Sequence, residues 1–347
     1  MPGRAFRLLC FVLAGSLLGN LQQAAAAEMP KWKPNQKAVT WHWQSWQRKD
    51  GSVDWQGVTT DLDAMHQAGI TWARMHIGLE MSDELIDHLI REAESRDVHF
   101  LALVADTDSV AKTESTEWLA SIAQKYKGRI NVWEIGNEEN NSQYWSLEGG
   151  REASVARYVD YLHKSYVAMK QANPDAVILM GGLMGWHVEA FLPIFIKLGG
   201  GEFTDGFNIH PYAETPDAVV ARLSAIRSEI ASDSSLRDKP LWITEIGFFA
   251  NAPSWKNAGR VPDETTKATY LSLTIERLRS AGISTPIFWY NFHDPDPGVC
   301  GYSLVIFDSM GHEVALPAYR SYQRVLPVGP GKPAPEEPRK SANAVCP

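Results

Sequence analysis

Beyond residue 38 the chain keeps changing its hydrophobic period. Short apolar runs rich in β-branched and aromatic residues give way to stretches whose apolar residues recur every three or four positions. The exchange repeats eight times, about once per 30 residues. The runs at 38–43, 70–77, 99–104, 130–137, 176–180, 207–212, 240–246 and 286–290 read as strands. Asp54 caps a helix that puts Val58, Leu62 and Met65 on one face before Gly69 stops it. Ser82 and Glu84 open another, carrying Leu85, Ile86, Leu89 and Ile90. Further helices surround Trp118, Leu119 and Ile122, or cover 153–172, 191–198, 218–230 and 264–280, and a short one at 318–325 closes the chain. Asn173-Pro174 and Gly282 mark two of the stops.

An open doubly wound sheet normally stops after five or six strands and carries a glycine-rich phosphate turn. Gly181-Gly182 and Gly199-Gly200-Gly201 do not fit G-x-G-x-x-G. Eight strand–helix units instead predict an α/β fold of one domain, a closed (β/α)8 TIM barrel.

The ends of the chain differ from its middle. Arg4 and Arg7 precede a short apolar run over 8–19, and Ala24 to Ala27 offer a cleavage site before Glu28, so residues 1–27 are expected to be a signal peptide. The run is too short to span a bilayer, which needs about 20 apolar residues. Residues 28–326 form the expected barrel domain. The 327–347 segment, with Pro327, Pro330, Pro333, Pro335 and Pro338, reads as a Pro-rich tail. The expected product is an exported monomer, periplasmic or secreted, with no membrane insertion after cleavage. It would carry 31 basic against 41 acidic residues, which argues against nucleic acid as a partner. Export permits a Cys300–Cys346 disulfide, and two free thiols fit the sequence equally well.

In a parallel barrel the C-terminal ends of the strands converge on one pocket. Here those ends carry His42, Arg74, Asn137 with Glu138, His210 with Tyr212, Glu245, and Trp289 with Asn291. A single Glu in such a place is most often a solvated loop carboxylate. Two of them, at the ends of strands four and seven and accompanied by Arg, His and Tyr, point to chemistry. Cleaving an acetal needs a proton for the leaving oxygen and a carboxylate for the oxocarbenium-like carbon. In that reading Asn137 reaches the sugar 2-hydroxyl, while Arg74 and Tyr212 hold the second carboxylate ionised and aimed.

The ordered set resembles the clan A retaining glycoside hydrolases, the "4/7" barrels that include families 5, 39 and 51. Trp133-Glu134-Ile135-Gly136-Asn137-Glu138 is similar to their Asn-Glu motif after strand four, and Thr244-Glu245-Ile246-Gly247-Phe248 to their nucleophile strand. His210-Pro211-Tyr212, Arg74, Trp289 and Pro317-Ala318-Tyr319 resemble further landmarks of those barrels, so the likeness spans Ala38 to about Leu326. The resemblance implies a cofactor-free O-glycosidase that cleaves β-glycosidic bonds with retention. Glu138 would be acid/base and Glu245 nucleophile, and the substrate an extracellular or envelope polysaccharide or oligosaccharide. Where many members have Pro after the acid/base, this chain has Glu139, which is expected to cap the loop.

Trp43, Trp46, Trp145, Trp186 and Trp255 fall at or just after strand ends, where aromatic faces stack on sugar rings. The expected substrate contacts are Arg74, Asn137, His210, Tyr212, Trp289, His42, Trp43 and Trp145. Asp294 and Asp296 lie in a 293–301 loop that Pro295 and Pro297 make a rigid turn. A metal-dependent barrel hydrolase would use histidines such as His42, His76, His210 and His293. That class wants His-x-His on strand one and a histidine on strand five, and neither is present. No metal is therefore expected. An inactive carbohydrate-binding barrel and a transglycosylase would share the residues named here.

Overall fold

The computed structural model describes residues 36–105, 116–250, 261, 263–293, 300–308 and 312–325. The leader, the Pro-rich tail, Trp255, Asp294, Asp296 and Cys346 lie outside them. Eight parallel strands close into one barrel: β1 (Lys37–Thr40), β2 (Ile70–His76), β3 (His99–Val104), β4 (Val132–Asn137), β5 (Val177–Met184), β6 (Phe207–His210), β7 (Leu241–Ile246) and β8 (Ile287–Trp289). Closure is direct, with Ala38 paired to Phe288 and Val39 to Trp289. The helices among the described residues are α1 (Trp55–Gln67), α2 (Asp83–Glu94), α3 (Thr116–Lys125), α4 (Arg151–Ala172), α5 (Val188–Lys197), α6 (Pro216–Ile230), α7 (Glu264–Ser280) and α8 (Pro317–Arg324). This is the expected single-domain TIM barrel.

The helices start where the sequence offers an oxygen to an otherwise unpaired amide. Asp54 accepts from Gly57, Ser82 from Leu85, Thr215 from Ala218 and Asp263 from Thr266. At the other end of the chain, the Tyr322 hydroxyl on α8 donates to Ala38 O and accepts from Ala38 N, tying the last helix to the first strand.

Strand parity sorts the core into two compartments. Ala38, Trp72, Leu101, Val132, Val177, Leu179, Trp242 and Phe288 fill the lumen. Their strand neighbours Val39, Ala73, Ala102, Trp133, Ile178, Ile243 and Trp289 pack outward into the larger strand–helix core. Two residues further along β1, β2, β4 and β7 the lumen turns polar, with Thr40, Arg74, Glu134 and Thr244. At β7 the pairing with β8 slips, since Ile243 faces Ile287 and Ile246 already faces Trp289. This extra residue breaks the alternation, so Thr244 and Glu245 both turn toward the lumen side.

Three elements differ from expectation. Strand β5 runs on through Gly181, Gly182 and Leu183 to Met184, where Gly182 pairs with Asn137 of β4 and Leu183 and Met184 pair with Ile209 and His210 of β6. β1 ends at Thr40, and Trp43 opens a 3-10 turn over Trp43–Trp46. After β8 an unforeseen antiparallel hairpin forms from β9 (Val305–Phe307) and β10 (Glu313–Ala315).

Candidate active site

Arg74, at the second lumen position of β2, is fully buried. Its Nε donates to Glu134 Oε2 at 2.6 Å, and its Nη2 donates to Glu134 Oε1 at 3.1 Å and to Asn137 Oδ1 at 2.8 Å. Its Nη1 donates to Glu245 Oε1 at 2.5 Å. The guanidinium therefore ties β2, β4 and β7 together, with two carboxylates on one planar fork. Burial works against its charge, and the adjoining carboxylates more than offset that, holding Arg74 above its usual value. Glu134 Oε1 also accepts from the Gly182 amide at 2.9 Å and the Thr244 hydroxyl at 3.1 Å, which satisfies the buried charge.

Glu245 is held from three sides. Besides Arg74, the Tyr212 hydroxyl donates to its Oε2 at 3.0 Å, and His210 Nδ1 lies 3.7 Å from the same oxygen. Burial alone would push this carboxyl up. The charges of His210 and Arg74 and the Tyr212 hydrogen bond instead hold it below its usual value. Tyr212 is shifted well upward by burial and by the Glu245 charge, so it stays a donor.

Glu138 lies just past the end of β4, in the left-handed region at φ 56. Its Oε1 is 3.0 Å from His210 Nδ1, and its Oε2 accepts from Asn141 Nδ2 at 3.2 Å. Among the described residues no guanidinium or ammonium pairs with it. His210 is buried between the two carboxylates, with its Nε2 3.0 Å from Thr244 Oγ1. Burial would lower the imidazole, but the charge of Glu245 and the hydrogen bond and charge of Glu138 raise it. Gly182 makes this possible, since a Cβ there would overlap the His210 ring.

A carboxylate oxygen from each of Glu138 and Glu245 and a ring nitrogen of His210 all lie within 4.8 Å of one another. Such a trio has the donor types of a cation site. Here the Arg74 guanidinium already occupies one face of Glu245, and a second buried cation would meet its charge. We do not read these residues as metal ligands. A cavity of about 220 Å³ opens above them, lined among others by His42, Gln44, Asn137, Tyr144 and Tyr290. A larger open groove of about 790 Å³ between α7 and α8 contains none of these groups.

The structure thus brings together Glu138, Glu245, Arg74, Asn137, His210, Tyr212 and His42. It does not bring in three expected sugar contacts. Trp289 is 0% exposed, and since its parity is opposite to that of lumen-facing Phe288 it points outward and packs against Phe248. Tyr290, one residue on, faces the cavity in its place. Trp43 and Trp145 are each 2% exposed, their indole nitrogens bonded to His76 O and Ser154 O, so neither ring offers a face to a ligand. Trp46 donates to buried Asp61, and Arg222 covers one face of Trp186. Glu139, expected to cap the loop, is instead fully buried behind β4. Sequence reasoning overlooked Glu134, Asn141, Thr244, Tyr144 and Tyr290. Glu134 did leave a signal, as a carboxylate at a lumen position of an otherwise apolar strand.

No protein-family model matches the sequence, and no curated protein matches it. Solved structures do. A family 39 glycoside hydrolase from the gut symbiont Bacteroides cellulosilyticus WH2 superposes with a TM-score of 0.64 at 21% identity, over 85% of this chain and 64% of that one. GH5_18 from Streptomyces cattleya, in complex with GlcNAc, gives 0.62 at 15% identity, over 85% and 80% of the two chains. Bacteroides uniformis beta-glucuronidase 2, covalently bound to cyclophellitol-6-carboxylate aziridine, gives 0.64 at 14% identity, over 86% and 36%. The present chain therefore spans just under two thirds of the family 39 enzyme's length. What these likenesses establish is the architecture: the chain has the eight-stranded parallel barrel fold on which those glycoside hydrolases are built.

Proposed function

We propose that the protein is a retaining β-glycosidase, with Glu245 as nucleophile and Glu138 as acid/base. The observation that carries this reading is that one carboxylate oxygen of each comes within 4.8 Å of one from the other. Retaining enzymes hold the two carboxyl groups about 5–5.5 Å apart, whereas inverting ones leave about 6.5–9.5 Å for a water. The division of labour follows from the partners. Glu245 sits on Arg74 and Tyr212 and is kept ionised, as a nucleophile must be. Among the described residues Glu138 hydrogen-bonds only to the side chains of His210 and Asn141, an environment suited to a group that gives and retakes a proton.

In the first step Glu138 protonates the glycosidic oxygen as that bond breaks, and a Glu245 oxygen bonds the anomeric carbon. In the second, Glu138 takes a proton from water, which displaces Glu245 with a second inversion. Arg74 fixes Asn137 with its Oδ1 inward, which leaves the NH2 end to donate to the sugar 2-hydroxyl. The cavity, below the roughly 300–1,000 Å³ of drug-sized pockets, suits one sugar ring, with His42, Gln44, Tyr144 and Tyr290 around it. The substrate we infer is an extracellular or envelope polysaccharide or oligosaccharide. The basic n-region and apolar 8–19 run support export, and the net charge of −8 supports a partner other than nucleic acid.

The test is mass spectrometry of the intact protein after exposure to a panel of 2-deoxy-2-fluoro glycosyl fluorides. A sugar adduct mapped to Glu245, absent in Glu245→Gln, is the expected result. An adduct on another carboxylate, or a first-formed product of inverted configuration by NMR, would overturn the assignment.

A further inference from the structure

Glu139 is the one carboxylate of the β4 end that the reaction does not use, and its surroundings are unusual. It is 1% exposed, and neither carboxyl oxygen has a hydrogen-bond partner among the described residues. The amides of Asn137 and of Glu139 itself are turned toward it, but neither reaches normal hydrogen-bond geometry. The space it fills is shaped by two glycines on adjacent strands. A Cβ on Gly136, at φ 103 where L side chains are strained, would overlap one carboxyl oxygen, and a Cβ on Gly181 would overlap the other.

The groups facing it are all acidic or neutral. Glu134 and Glu138 come from the β4 segment, and Tyr158 and Tyr161 from α4. Tyr158 is spoken for, donating to Ile135 O and accepting from Gly181 N, and the Tyr161 hydroxyl is buried. No cation compensates Glu139 among the described residues. Burial, with Glu134 and Glu138 adding to it, pushes the carboxyl up to about 8, which makes the protonated form the major one at neutral pH.

Directly before it, Glu138 holds a backbone conformation that non-glycine residues rarely adopt and that persists only where the surroundings impose it. Three successive residues fasten this turn to β5. The Glu138 amide donates to Gly182 O at 3.0 Å, Glu139 fills the cradle at Gly181, and the Asn140 side chain accepts from Met184 N and donates to Met184 O and Trp186 O. The middle fastening is a shape fit with no hydrogen bond of its own.

We propose that Glu139 is a positioning residue: its carboxyl, seated between Gly136 and Gly181, locks the left-handed turn that aims the Glu138 carboxyl at His210. The catalytic part of this inference rests on the reading of Glu138 as acid/base, and the geometric part does not. Because shape rather than charge does the locking, Gln should replace Glu139 and Ala should not.

Crystal structures of Glu139→Gln and Glu139→Ala test the geometry without any substrate. The Gln variant should keep the 3.0 Å approach of Glu138 to His210, and the Ala variant should lose it. An Ala variant with that approach intact, or a Gln variant without it, would overturn the proposal whatever the protein hydrolyses. If Glu139→Ala does not fold, Gly181→Ala, which crowds the same cradle from the strand, takes its place. Kinetics then test the consequence. Glu139→Gln should keep kcat within about threefold. Glu139→Ala should lose about 100-fold on unactivated substrates and little in the first step on dinitrophenyl glycosides, whose leaving group needs no proton. Equal losses on both substrates would show a merely structural role. A wild type inactive on every donor would instead remove the glycosidase reading and leave the crystallographic result standing.

Discussion

Glu134 grips Arg74 through two hydrogen bonds, at 2.6 and 3.1 Å, in a pair from which solvent is excluded. Since the same guanidinium carries Glu245 and Asn137, Glu134 sets where those two lie without meeting the cavity itself. Removing one partner of a buried pair leaves the other charge uncompensated, at a cost of about 3–5 kcal/mol. Glu134→Ala should therefore unfold at clearly lower urea concentration than wild type. Its residual folded fraction should be impaired chiefly in kcat, because Arg74 can then rotate wholly onto Glu245. A variant with unchanged urea midpoint would show that Glu134 is not the anchor of this network.

Tyr212 is a cleaner probe of charge at Glu245, since losing a single hydroxyl leaves the ring in place. The hydroxyl bond is one of the influences that lower Glu245, after the charges of His210 and Arg74. Tyr212→Phe should let the carboxyl rise. The nucleophile must be ionised, so the acidic limb of kcat/KM should move to higher pH, with a loss of about tenfold or more at neutral pH. The alkaline limb should stay where it is. An acidic limb that stayed fixed or moved to lower pH would count against Glu245 as the group that titrates there.

Much of the barrel was legible because eight repeats of one alternation leave few other ways to bury so many apolar runs. Which side chains enter the site was less so. A strand end displays two faces, and choosing between them requires the register with neighbouring strands. Trp289 illustrates this. The sequence marks an aromatic at the end of strand eight, but only the pairing of β8 with β1 tells that Phe288 shares the lumen with Ala38 and that Trp289 faces the helices. Glu245 reaches the site for the opposite reason, through a slip in β7–β8 pairing that no periodicity announces. The acidic run Glu138-Glu139 hid a further split. Gly136 and Gly181 make room for a buried acid, and a glycine's role in such a cradle is visible only when the strands are side by side.

That parity separates two neighbouring aromatics by effect. Tyr290 lines the cavity and sets its ring edge-on to His42 at 5.5 Å between centroids. Tyr290→Ala should raise KM for glycosides several-fold and leave the thermal midpoint nearly in place. Trp289→Ala empties a buried volume and should cost about 3–5 kcal/mol of stability. Calorimetry and steady-state kinetics on the pair of variants would reverse the assignment if Trp289 governed KM and Tyr290 governed stability.

Glu139 predicts the direction in which stability depends on pH. Its carboxyl is raised to about 8 in the folded protein, against an ordinary glutamate value of about 4.3 in the unfolded chain. Between those values the folded state holds a proton that the unfolded state has released. Linkage then makes stability fall as pH rises from about 4.5 toward 8, and beyond 8 this contribution is flat because both states are ionised. Glu139→Gln removes the proton and keeps the shape, so it should erase that part of the slope. The variant should melt close to wild type at pH 5 and above it at pH 8, measured by thermal unfolding at matched ionic strength. A variant less stable than wild type at pH 8 would mean that the buried carboxyl is ionised there and paired with a cation.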